Sequence, residues 1–451
     1  MIRHRPFLSL SATGALRAPV ALLLLALIAT RSFGADDPRA VERNTSPSGA
    51  VPTTGLLSLS QLASDSTLVV QGVVTRTESL DEDRLRVYHV LVDRTLKGTL
   101  DGSDAAVIEM RSSSRPGLLA DGMRAALLLR PPPPLSYLTQ HLAEGRHFAL
   151  AGGRDGIIPI ANDGEARVVE TTLAEATRIA GLGDEAEIRA ARRALAFSEL
   201  QTANARLTAD ALTQLRRLDD VTTLSAGEVE VLGRTLGSRS VPAAVRIGLA
   251  QLVGERRWKE ALPALQSALI EPPQVLDAVL AARARLGASP DKAELQRYLT
   301  SKDPAVRAAA IRALATLPDP AVSELGRFAT SDKEVAVRVA AIEALGTSKQ
   351  PAAIPTLSKT FAEPTREVRQ ASGRALLAIG GKPASDAFVD LALHGGDPDT
   401  RKYAAVLLML SSGGRDSPAV QRLMASNPSG EVRQVVEHGL KWTHSHQHDA
   451  E

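Results

Sequence analysis

The residues of this chain best suited to metal chemistry lie at its C-terminal end. The sequence finishes KWTHSHQHDAE, which places His444, His446 and His448 at every second position, with Asp449 beside the last of them. In an extended backbone alternate side chains point the same way, so three neutral imidazoles can converge on Zn²⁺, Cu²⁺ or Ni²⁺. Because no folded element follows to orient these ligands, we expect only weak binding of a divalent transition metal. A solvated polar tail at residues 441–451 is the alternative interpretation.

Other residues with catalytic potential are few and scattered. The sequence contains no GxSxG, HExxH or GxxxxGKS/T motif. It also lacks cysteine, which excludes disulfides, thiolate metal sites, iron–sulfur clusters and a cysteine nucleophile. His89, His141 and His147 fall in one β-rich region and could meet in a shared site, but scattered surface histidines are the commoner explanation of such a set.

Length and composition set the broad class of protein. The chain has 451 residues, a length typical of about three domains, and its 44% hydrophobic residues are enough to build packed cores. Only 3% of the residues are aromatic, so small and aliphatic side chains must supply most of the packing. Lysine and arginine number 53 against 51 aspartate and glutamate, and no basic run carries interleaved aromatics. This composition excludes the electrostatic surface that nucleic-acid binding requires.

The first 34 residues have the parts of a bacterial export signal. Arg3, Arg5 and Arg17 form a basic region, the apolar run Val20–Thr30 follows, and small residues end the segment. Eleven apolar residues make a helix of about 16 Å, too short for a bilayer core of about 30 Å. We therefore expect a signal peptide at residues 1–34 and an exported chain, periplasmic or secreted, without a membrane span after cleavage. An uncleaved membrane anchor is the alternative.

The sequence then changes from a linker to a β-rich module. Residues 35–54 are polar and contain proline, serine and threonine, which predicts a flexible leader. Residues 55–170 show the two-residue alternation of strands, interrupted by turn residues. We predict strands at Leu68–Thr75, Leu85–Asp93, Ala106–Arg111, Arg124–Leu129, Phe148–Ala151, Ile157–Ile160 and Arg167–Glu170. The short connections favour antiparallel pairing, and a small sheet can hide its edges by curling into a barrel.

Three stretches of this module carry a family resemblance. Leu68–Gly72, Val90–Gly98 and Ala126–Arg130 resemble the small barrel modules, OB-like or netrin-like, at the front of exported bacterial proteins. The resemblance implies a binding or docking module.

The pattern becomes helical from about Thr172 and stays so. Asp184–Asp219 is dense in alanine, leucine, arginine and glutamate with almost no glycine or proline, which predicts one or two long helices. We therefore assign residues 171–240 to a helical spacer. After Gly227, breaker residues interrupt the sequence at regular intervals, which indicates short helices arranged in a repeat.

An arginine recurs at nearly constant spacing in the second half of the chain. The positions, separated by 31, 31, 32 and 32 residues, are Arg307, Arg338, Arg369, Arg401 and Arg433. Small or apolar residues mostly fall at −1, +2, +3, +6 and +7 from each arginine, which is one face of an amphipathic helix. A second helical segment precedes each of these. Two helices in about 31 residues predict a solenoid of stacked hairpins over residues 241–440, rather than a bundle of unrelated alanine-rich helices.

These residues resemble HEAT repeats, in particular the short bacterial type related to those of phycobilin lyases. The match extends from about Ala293 to Leu440. In that family the helix with the arginine is the second of its hairpin and lines the concave side, and the arginine commonly bridges to an acidic residue of a neighbouring repeat. The resemblance therefore implies that the arginines form a structural ladder and not a catalytic site. The matching acidic positions are Asp303, Glu334 and Asp397.

The sequence thus predicts a multidomain α+β chain, with an antiparallel, barrel-like β module followed by an all-α HEAT-type solenoid. We expect a non-catalytic scaffold of the bacterial cell envelope that binds a protein or peptide partner and requires no cofactor. From Asp303 to the end there are 17 acidic and 17 basic residues, and a neutral, mixed surface favours a patterned protein partner over a polyanion. The positions expected to face the partner are Arg312, Glu343, Gln370, Arg374 and Lys402.

Two other functions stay open at the level of sequence. One is metal handling, with the C-terminal histidines as ligands and the solenoid as their carrier. The other is an enzyme with its site in the β module, which a polar cluster and a deep pocket between that module and the first helices would favour. The sequence sets neither the identity of the partner nor the oligomeric state.

Overall fold

The computed structural model describes residues 56–80, 85–110, 117–132, 147–317, 321–411 and 417–445. The predicted signal peptide and leader, His141, His446 and His448 therefore lie outside the described residues. The described residues form two compact units, one of residues 56–344 and one of residues 345–445. The first unit contains a sheet followed by helices and the second is helical, which confirms the predicted α+β class.

One sheet of six strands lies in the first unit, after a short helix, α1 (Leu59–Asp65). The strands are β1 (Leu68–Leu80), β2 (Leu85–Lys97), β3 (Asp104–Met110), β4 (Arg124–Arg130), β5 (His147–Leu150) and β6 (Ile157–Pro159). β1 pairs with both β2 and β4, and the pairs β2–β3, β3–β5 and β5–β4 complete a closed ring of five strands. β6 adds to the ring by pairing with β4. Closure protects the strand edges, as the barrel prediction required.

One pair of strands departs from the antiparallel prediction. β3 and β5 run parallel, with Ala106 opposite His147 and Ile108 opposite Ala149. Short connections prevent parallel pairing only between strands that are consecutive in the chain. Because β4 lies between β3 and β5 in the sequence, the chain reverses twice and returns in its original direction.

The curvature of β1 comes from bulges in its pairing with β2. The register shifts at three points, one of them next to Gly72. A Cβ atom at Gly72 would lie 2.3 Å from the carbonyl oxygen of Leu91, so only glycine permits this approach of the two strands. The bend allows β1 to pair with β2 and β4 along its two edges.

β4 lies between two hydrophobic cores. Leu127 and Leu129 belong to the same buried cluster as Val90, inside the ring. Leu128 points to the opposite face and belongs to a second cluster that includes Val169. Because both faces of β4 are buried, its sequence RAALLLR is a continuous apolar run and does not alternate.

The last predicted strand, Arg167–Glu170, is wrong. These residues lie inside α2 (Asp163–Ala180), where the side chain of Asn162 accepts a hydrogen bond from the N–H of Glu165 at 3.0 Å and caps the helix. The buried residues of α2 recur every three or four positions, as expected for one face of a helix. A stretch of four residues fits both periods, and helical structure therefore begins before Thr172, where we had predicted its start.

Helices make up the rest of the described chain. The predicted long helical stretch consists of α3 (Glu185–Glu199) and α4 (Ala205–Arg217). The later helices are α5 (Ala226–Gly237), α6 (Ala243–Arg256), α7 (Leu262–Gln266), α8 (Pro273–Arg285), α9 (Lys292–Leu299), α10 (Pro304–Leu314), α11 (Val322–Ser331), α12 (Val335–Ser348), α13 (Ile354–Phe361), α14 (Arg366–Ile379), α15 (Gly381–His394), α16 (Pro398–Ser411), α17 (Pro418–Ala425) and α18 (Gly430–Ser445). Within the described ranges, no helix has the length and hydropathy needed to cross a bilayer.

Second helices of successive hairpins pack on one another within each unit. In the first unit α6 packs against α8 and α8 against α10, and in the second α14 packs against α16 and α16 against α18. The first helices form a layer of their own, as with α5 on α7 and α15 on α17. This two-layer stacking is the helical solenoid that the repeat predicted.

Close packing of the second helices depends on small residues. Gly254 in α6 faces Ala282 in α8, and a Cβ atom added at Gly254 would lie 2.9 Å from the Ala282 Cα atom. Gly233 in α5 has more room, since the nearest atoms to an added Cβ belong to Ala264 at 3.8 Å. Both glycines are helical, and a helix prefers alanine to glycine by about 1 kcal/mol.

The same substitution should therefore have opposite effects at these two glycines. Gly233→Ala should raise the free energy of unfolding by about 0.5–1 kcal/mol, because it only removes backbone freedom. Gly254→Ala should lower it by about 1–3 kcal/mol, because α6 and α8 must separate. Urea unfolding of the full chain measures both changes. A gain in stability for Gly254→Ala would contradict the close contact of α6 with α8.

Candidate functional site

Every repeat arginine reaches back to the turn before its own helix. Four of them donate to the backbone carbonyl oxygen six residues earlier: Arg307 to Ser301 (2.9 Å), Arg338 to Asp332 (3.0 Å), Arg369 to Glu363 (3.2 Å) and Arg401 to Gly395 (2.8 Å). Arg433 donates to the side-chain Oδ1 atom of Asn427, also six residues earlier, at 2.6 Å. The constant offset shows that each arginine closes its own hairpin.

The backbone acceptors lie just beyond the first helix of each hairpin. Ser301 follows α9, Asp332 follows α11, Glu363 follows α13 and Gly395 follows α15. Carbonyl groups at a helix C-terminus lack partners within the helix, and a cationic donor both satisfies them and opposes the negative end of the helix dipole. The arginine thereby fixes the turn between the two helices.

Some of these arginines also reach a carboxylate in the next repeat. The pairs are Arg307 with Asp332 (2.8 Å), Arg369 with Asp397 (3.4 Å) and Arg401 with Glu431 (3.8 Å). The first pair is two-pronged, since the Nε atom of Arg307 also lies 2.9 Å from Asp332 Oδ2, and both side chains are only 8% exposed. A guanidinium that bonds its own turn and the next turn can hold neighbouring repeats together.

The acidic residues that we assigned to the ladder have different contacts. Asp397 lies beside the arginine of the preceding repeat. Asp303 caps α10 by accepting a hydrogen bond from the N–H of Ala305 at 2.8 Å. Glu334 donates its own N–H to Asp332 at 3.0 Å, and it is Asp332 that binds the preceding arginine.

The sequence analysis missed Asp332 and Glu431 because their spacing varies. The carboxylates Asp332, Asp397 and Glu431 precede the next repeat arginine by six, four and two residues. A long guanidinium side chain from the preceding repeat reaches all three places. A search at one fixed offset therefore cannot find the set, although any acid in the turn before a repeat arginine is a candidate.

The charge on Asp332 is stabilised by its partners. Burial by itself raises the pKa of Asp332, but hydrogen bonds from Arg307 and from the N–H of Glu334 outweigh burial and hold the pKa below the ordinary 3.8. The hydrogen bond to Asp332 raises the pKa of Arg307 in turn. A carboxyl whose pKa is lowered by folding stabilises the fold above its unfolded pKa, and that contribution is lost as the pH falls through the folded pKa.

The positions predicted to face a partner all lie on second helices. Arg312, Glu343 and Arg374 are exposed, whereas Gln370 and Lys402 are half-buried. Arg312 donates to Asp277 of α8 at 2.8 Å, and Lys402 lies 2.9 Å from Asp399 of its own helix. The neighbours of Arg312 at 308–311 and 313–314 are buried, so α10 presents one prominent charge to solvent on this side.

A cleft of about 790 Å³ lies in the first unit between α1, α3 and the end of α4. Its charged lining residues are Asp65, Glu185, Asp219, Asp220, Arg189, Arg192 and Arg217. Arg189 lies 3.5 Å from Glu185 and 3.4 Å from Asp220, and Asp219 lies 3.1 Å from Arg256. Acids and arginines nearly cancel, so the lining favours neither an anion nor a cation.

A group of polar side chains is buried next to this cleft. Glu199 on α3 and Asp210 on α4 have no exposed surface. The amide nitrogen of Gln214 donates to both carboxyl groups, at 3.2 Å to Glu199 and 2.5 Å to Asp210. Arg206 donates to Asp210 at 3.3 Å. One guanidinium thus serves two buried carboxyl groups.

Only one of these carboxyl groups is ionised at neutral pH. Burial raises the pKa of Glu199 well above the ordinary 4.5, and the charge of Asp210 acts in the same direction. Burial also raises the pKa of Asp210, but the charge of Arg206 opposes this effect. The pair therefore holds one proton, carried by Glu199 and shared with Asp210, and Asp210 remains the ionic partner of Arg206.

This group does not offer an acid or a base to the cleft. Gln214 is the member of the group that lines the cleft, whereas the two carboxyl groups are closed off. General acid–base catalysis requires a carboxyl group within hydrogen-bond reach of the substrate. The polar cluster and the pocket named above as signs of an enzyme are thus both present, but their arrangement does not favour an enzyme.

The described histidines of the β module share one row of the sheet. His89 in β2 and His147 in β5 both lie opposite Ala106 of β3, so they project from the same face two strands apart. His89 lies 3.0 Å from Arg76 and 3.3 Å from Glu78. In the part of the chain that the structure describes, no three histidine or acidic side chains are grouped as metal ligands.

The C-terminal tail begins as a helix. α18 extends to Ser445 and includes His444. In a helix, residues two apart do not face each other, so the extended geometry expected for the tail does not begin before residue 446. His446 and His448 lie outside the described residues, and weak metal binding by the tail stays a prediction.

Comparison with known proteins supports the repeat family over part of the chain. Residues 292–378 match the family model of HEAT repeats. No curated protein shows a significant match to the sequence. Among solved structures, the chain is similar to human deoxyhypusine hydroxylase in complex with glycerol, at 17% identity over 57% of this chain and 97% of that chain, with a TM-score of 0.25. It is also similar to two engineered proteins, at 22% identity over 62% of this chain and 86% and 96% of theirs, with TM-scores of 0.33 and 0.17.

The two arginines of α10 should differ in what their truncation costs. Arg307→Ala leaves Asp332 buried without its cation and opens the turn at Ser301, so the free energy of unfolding should fall by about 3–5 kcal/mol. Arg312→Ala, on the same helix, removes an exposed pair with Asp277 and should cost at most about 1 kcal/mol. Urea unfolding of both variants measures the difference. Equal losses would contradict a structural role for the repeat arginine.

The same ion pair should make the fold sensitive to acid. Asp332→Asn should be less stable than wild type at neutral pH, because it loses the charge that Arg307 requires. The difference should shrink as the pH falls through the lowered pKa of Asp332, where wild type loses the same charge. Unfolding curves at neutral pH and near pH ~3 measure both differences. A destabilisation that stays constant over this range would refute the assignment.

Proposed function

We propose that this chain is a non-catalytic scaffold that binds a protein or peptide partner along the second helices of its HEAT-type repeats. One observation carries the proposal: carbonyl groups and carboxylates occupy the repeat arginines, whereas the fifth residue after each of three arginines is an exposed charge. These exposed residues are Arg312, Glu343 and Arg374. Such a surface offers a partner polar side chains at the spacing of the repeats.

The chemistry of this surface supports a polypeptide partner. The sign of the charge alternates from Arg312 to Glu343 to Arg374. Alternating charges give a polyanion no continuous attraction, whereas a polypeptide can match them one by one. The balance of 17 acidic and 17 basic residues from Asp303 onward agrees with this preference.

We also propose that the N-terminal module is a docking domain of the OB type. Its ring, which runs β1-β2-β3-β5-β4 and back to β1, agrees with a five-stranded OB barrel. OB domains bind ligands on the face of their second and third strands. That face includes His89 and the exposed side chains Leu91 and Met110, which are 44% and 52% exposed.

We place this scaffold in the bacterial cell envelope as part of the same proposal. Its support is the sequence of residues 1–34, where a basic start precedes an apolar run too short to span a bilayer. Metal handling by the C-terminal histidines is a separate proposal, and the described residues add no support to it.

Crosslinking in the cell envelope, followed by identification of the proteins that co-purify, tests the scaffold. The triple variant Arg312→Glu, Glu343→Arg, Arg374→Glu should capture the partner about tenfold less than wild type or weaker, because it reverses three exposed contacts worth about 0.5–1 kcal/mol each. Deletion of residues 293–440 should abolish capture.

A second triple variant controls for the change in net charge. Lys333→Glu, Lys359→Glu, Asp390→Lys alters exposed positions outside the second helices and shifts the net charge by the same amount. It should capture the partner as wild type does. If both triple variants captured the partner as well as wild type, the proposed binding surface would be wrong.

A further inference from the structure

The segment Leu56–Leu59, just before and at the start of α1, is held by side chains from other parts of the first unit. Its backbone takes part in these hydrogen bonds: the N–H of Leu57 to Asp155 (2.9 Å), the N–H of Leu59 to Asp210 (2.9 Å), the carbonyl of Leu57 from Arg206 (3.0 Å) and the carbonyl of Leu56 from Arg217 (3.4 Å). Asp210, Arg206 and Arg217 all belong to α4. Side-chain contacts with α4 therefore attach this segment.

The same segment joins two hydrophobic cores. Leu56 is buried in the cluster built largely from α4, α5, α6 and α8. Leu59 is buried in the cluster between the sheet and α2. The attachment of the segment to α4 therefore helps to connect the β module to the helices that follow it.

One acceptor in this attachment belongs to the buried carboxyl pair. Asp210 accepts the N–H of Leu59 on one side and shares the proton of Glu199 on the other. Arg206 is the cation that faces the pair, and Gln214 is its neutral donor. Asp155 lies near the same segment, where its backbone carbonyl accepts a hydrogen bond from the Nε atom of Arg206 at 3.0 Å.

Loss of the shared proton would put two negative charges next to one cation in a site without solvent. Neither Glu199 nor Asp210 has exposed surface, so water does not screen their repulsion. Relief requires that water enter. Residues 56–58 belong to no helix or strand, so they are the part of the surroundings that can move at the smallest cost in backbone hydrogen bonds.

We propose that the proton shared by Glu199 and Asp210 acts as a latch, which keeps Leu56–Leu59 attached to α4 and releases this segment when the proton is lost at higher pH. Release would also change the neighbouring cleft, because Ser58 and Ser60 line it. The connection between the β module and the helices thereby responds to pH.

Amide hydrogen exchange of the full chain tests the latch. After correction for the intrinsic exchange rate, the Leu59 amide should lose protection as the pH is raised from about 5 to about 9, by about tenfold per pH unit once Glu199 titrates. The Val74 amide, which donates to Met123 in the β module at 2.9 Å, is the internal reference and should keep its protection. A common pH response of both amides, or of neither, would overturn the proposal.

Glu199→Gln separates the latch from general effects of pH. Glutamine keeps the shape of the protonated side chain and stays neutral, so protection at Leu59 should no longer depend on pH. Glu185→Gln makes the same change at an exposed position on the same helix and should behave as wild type does. An unchanged pH dependence in Glu199→Gln would reject the latch. If that variant does not fold, the comparison of Leu59 with Val74 in the wild-type chain decides the question.

Discussion

The hairpins of this chain depend on one interaction, the donation of a guanidinium to the carbonyl groups that follow the first helix. A hairpin buries its apolar stripe only if its helices meet at a fixed angle, and unpaired carbonyls in the turn oppose burial there. Arginine meets both needs because its planar head satisfies several acceptors from a single side chain. Arg307 bonds the carbonyls of Ser301 and Lys302 as well as a carboxylate.

A buried cation requires a countercharge, and this requirement links one repeat to the next. Arg307 is 7% exposed, so its charge would be costly without Asp332 in the following turn. Asp332 also accepts the N–H of Glu334 near the start of α12, and its own carbonyl accepts from Arg338. One turn thus holds the closing contact of its own hairpin and the countercharge for the hairpin before it. Arg312 has no such structural role, so a side chain at its position can serve binding at little cost to the fold.

Much of this architecture could be predicted from the sequence because it depends on periodicity. The spacing of the arginines identified the second helices, and alternation located the strands of the ring. Arg167–Glu170 was too short to distinguish the period of a strand from that of a helix, and the pairing of β3 with β5 depends on closure of the ring. Asp332 escaped notice because long arginine side chains tolerate a variable spacing. Glu199 and Asp210 escaped because an acid in a helical sequence does not reveal which face it occupies.

The helix α4 shows why that face matters. Its residues from Arg206 to Leu215 are all buried, so its polar side chains must be satisfied within the protein. One proton makes this possible, because it leaves two acids and an arginine with no net charge. Apolar replacements of buried ionic groups are often neutral or stabilising, so stability alone does not account for this group. A group that is neutral only while it holds a proton makes the attachment of Leu56–Leu59 depend on pH, which an apolar contact cannot do.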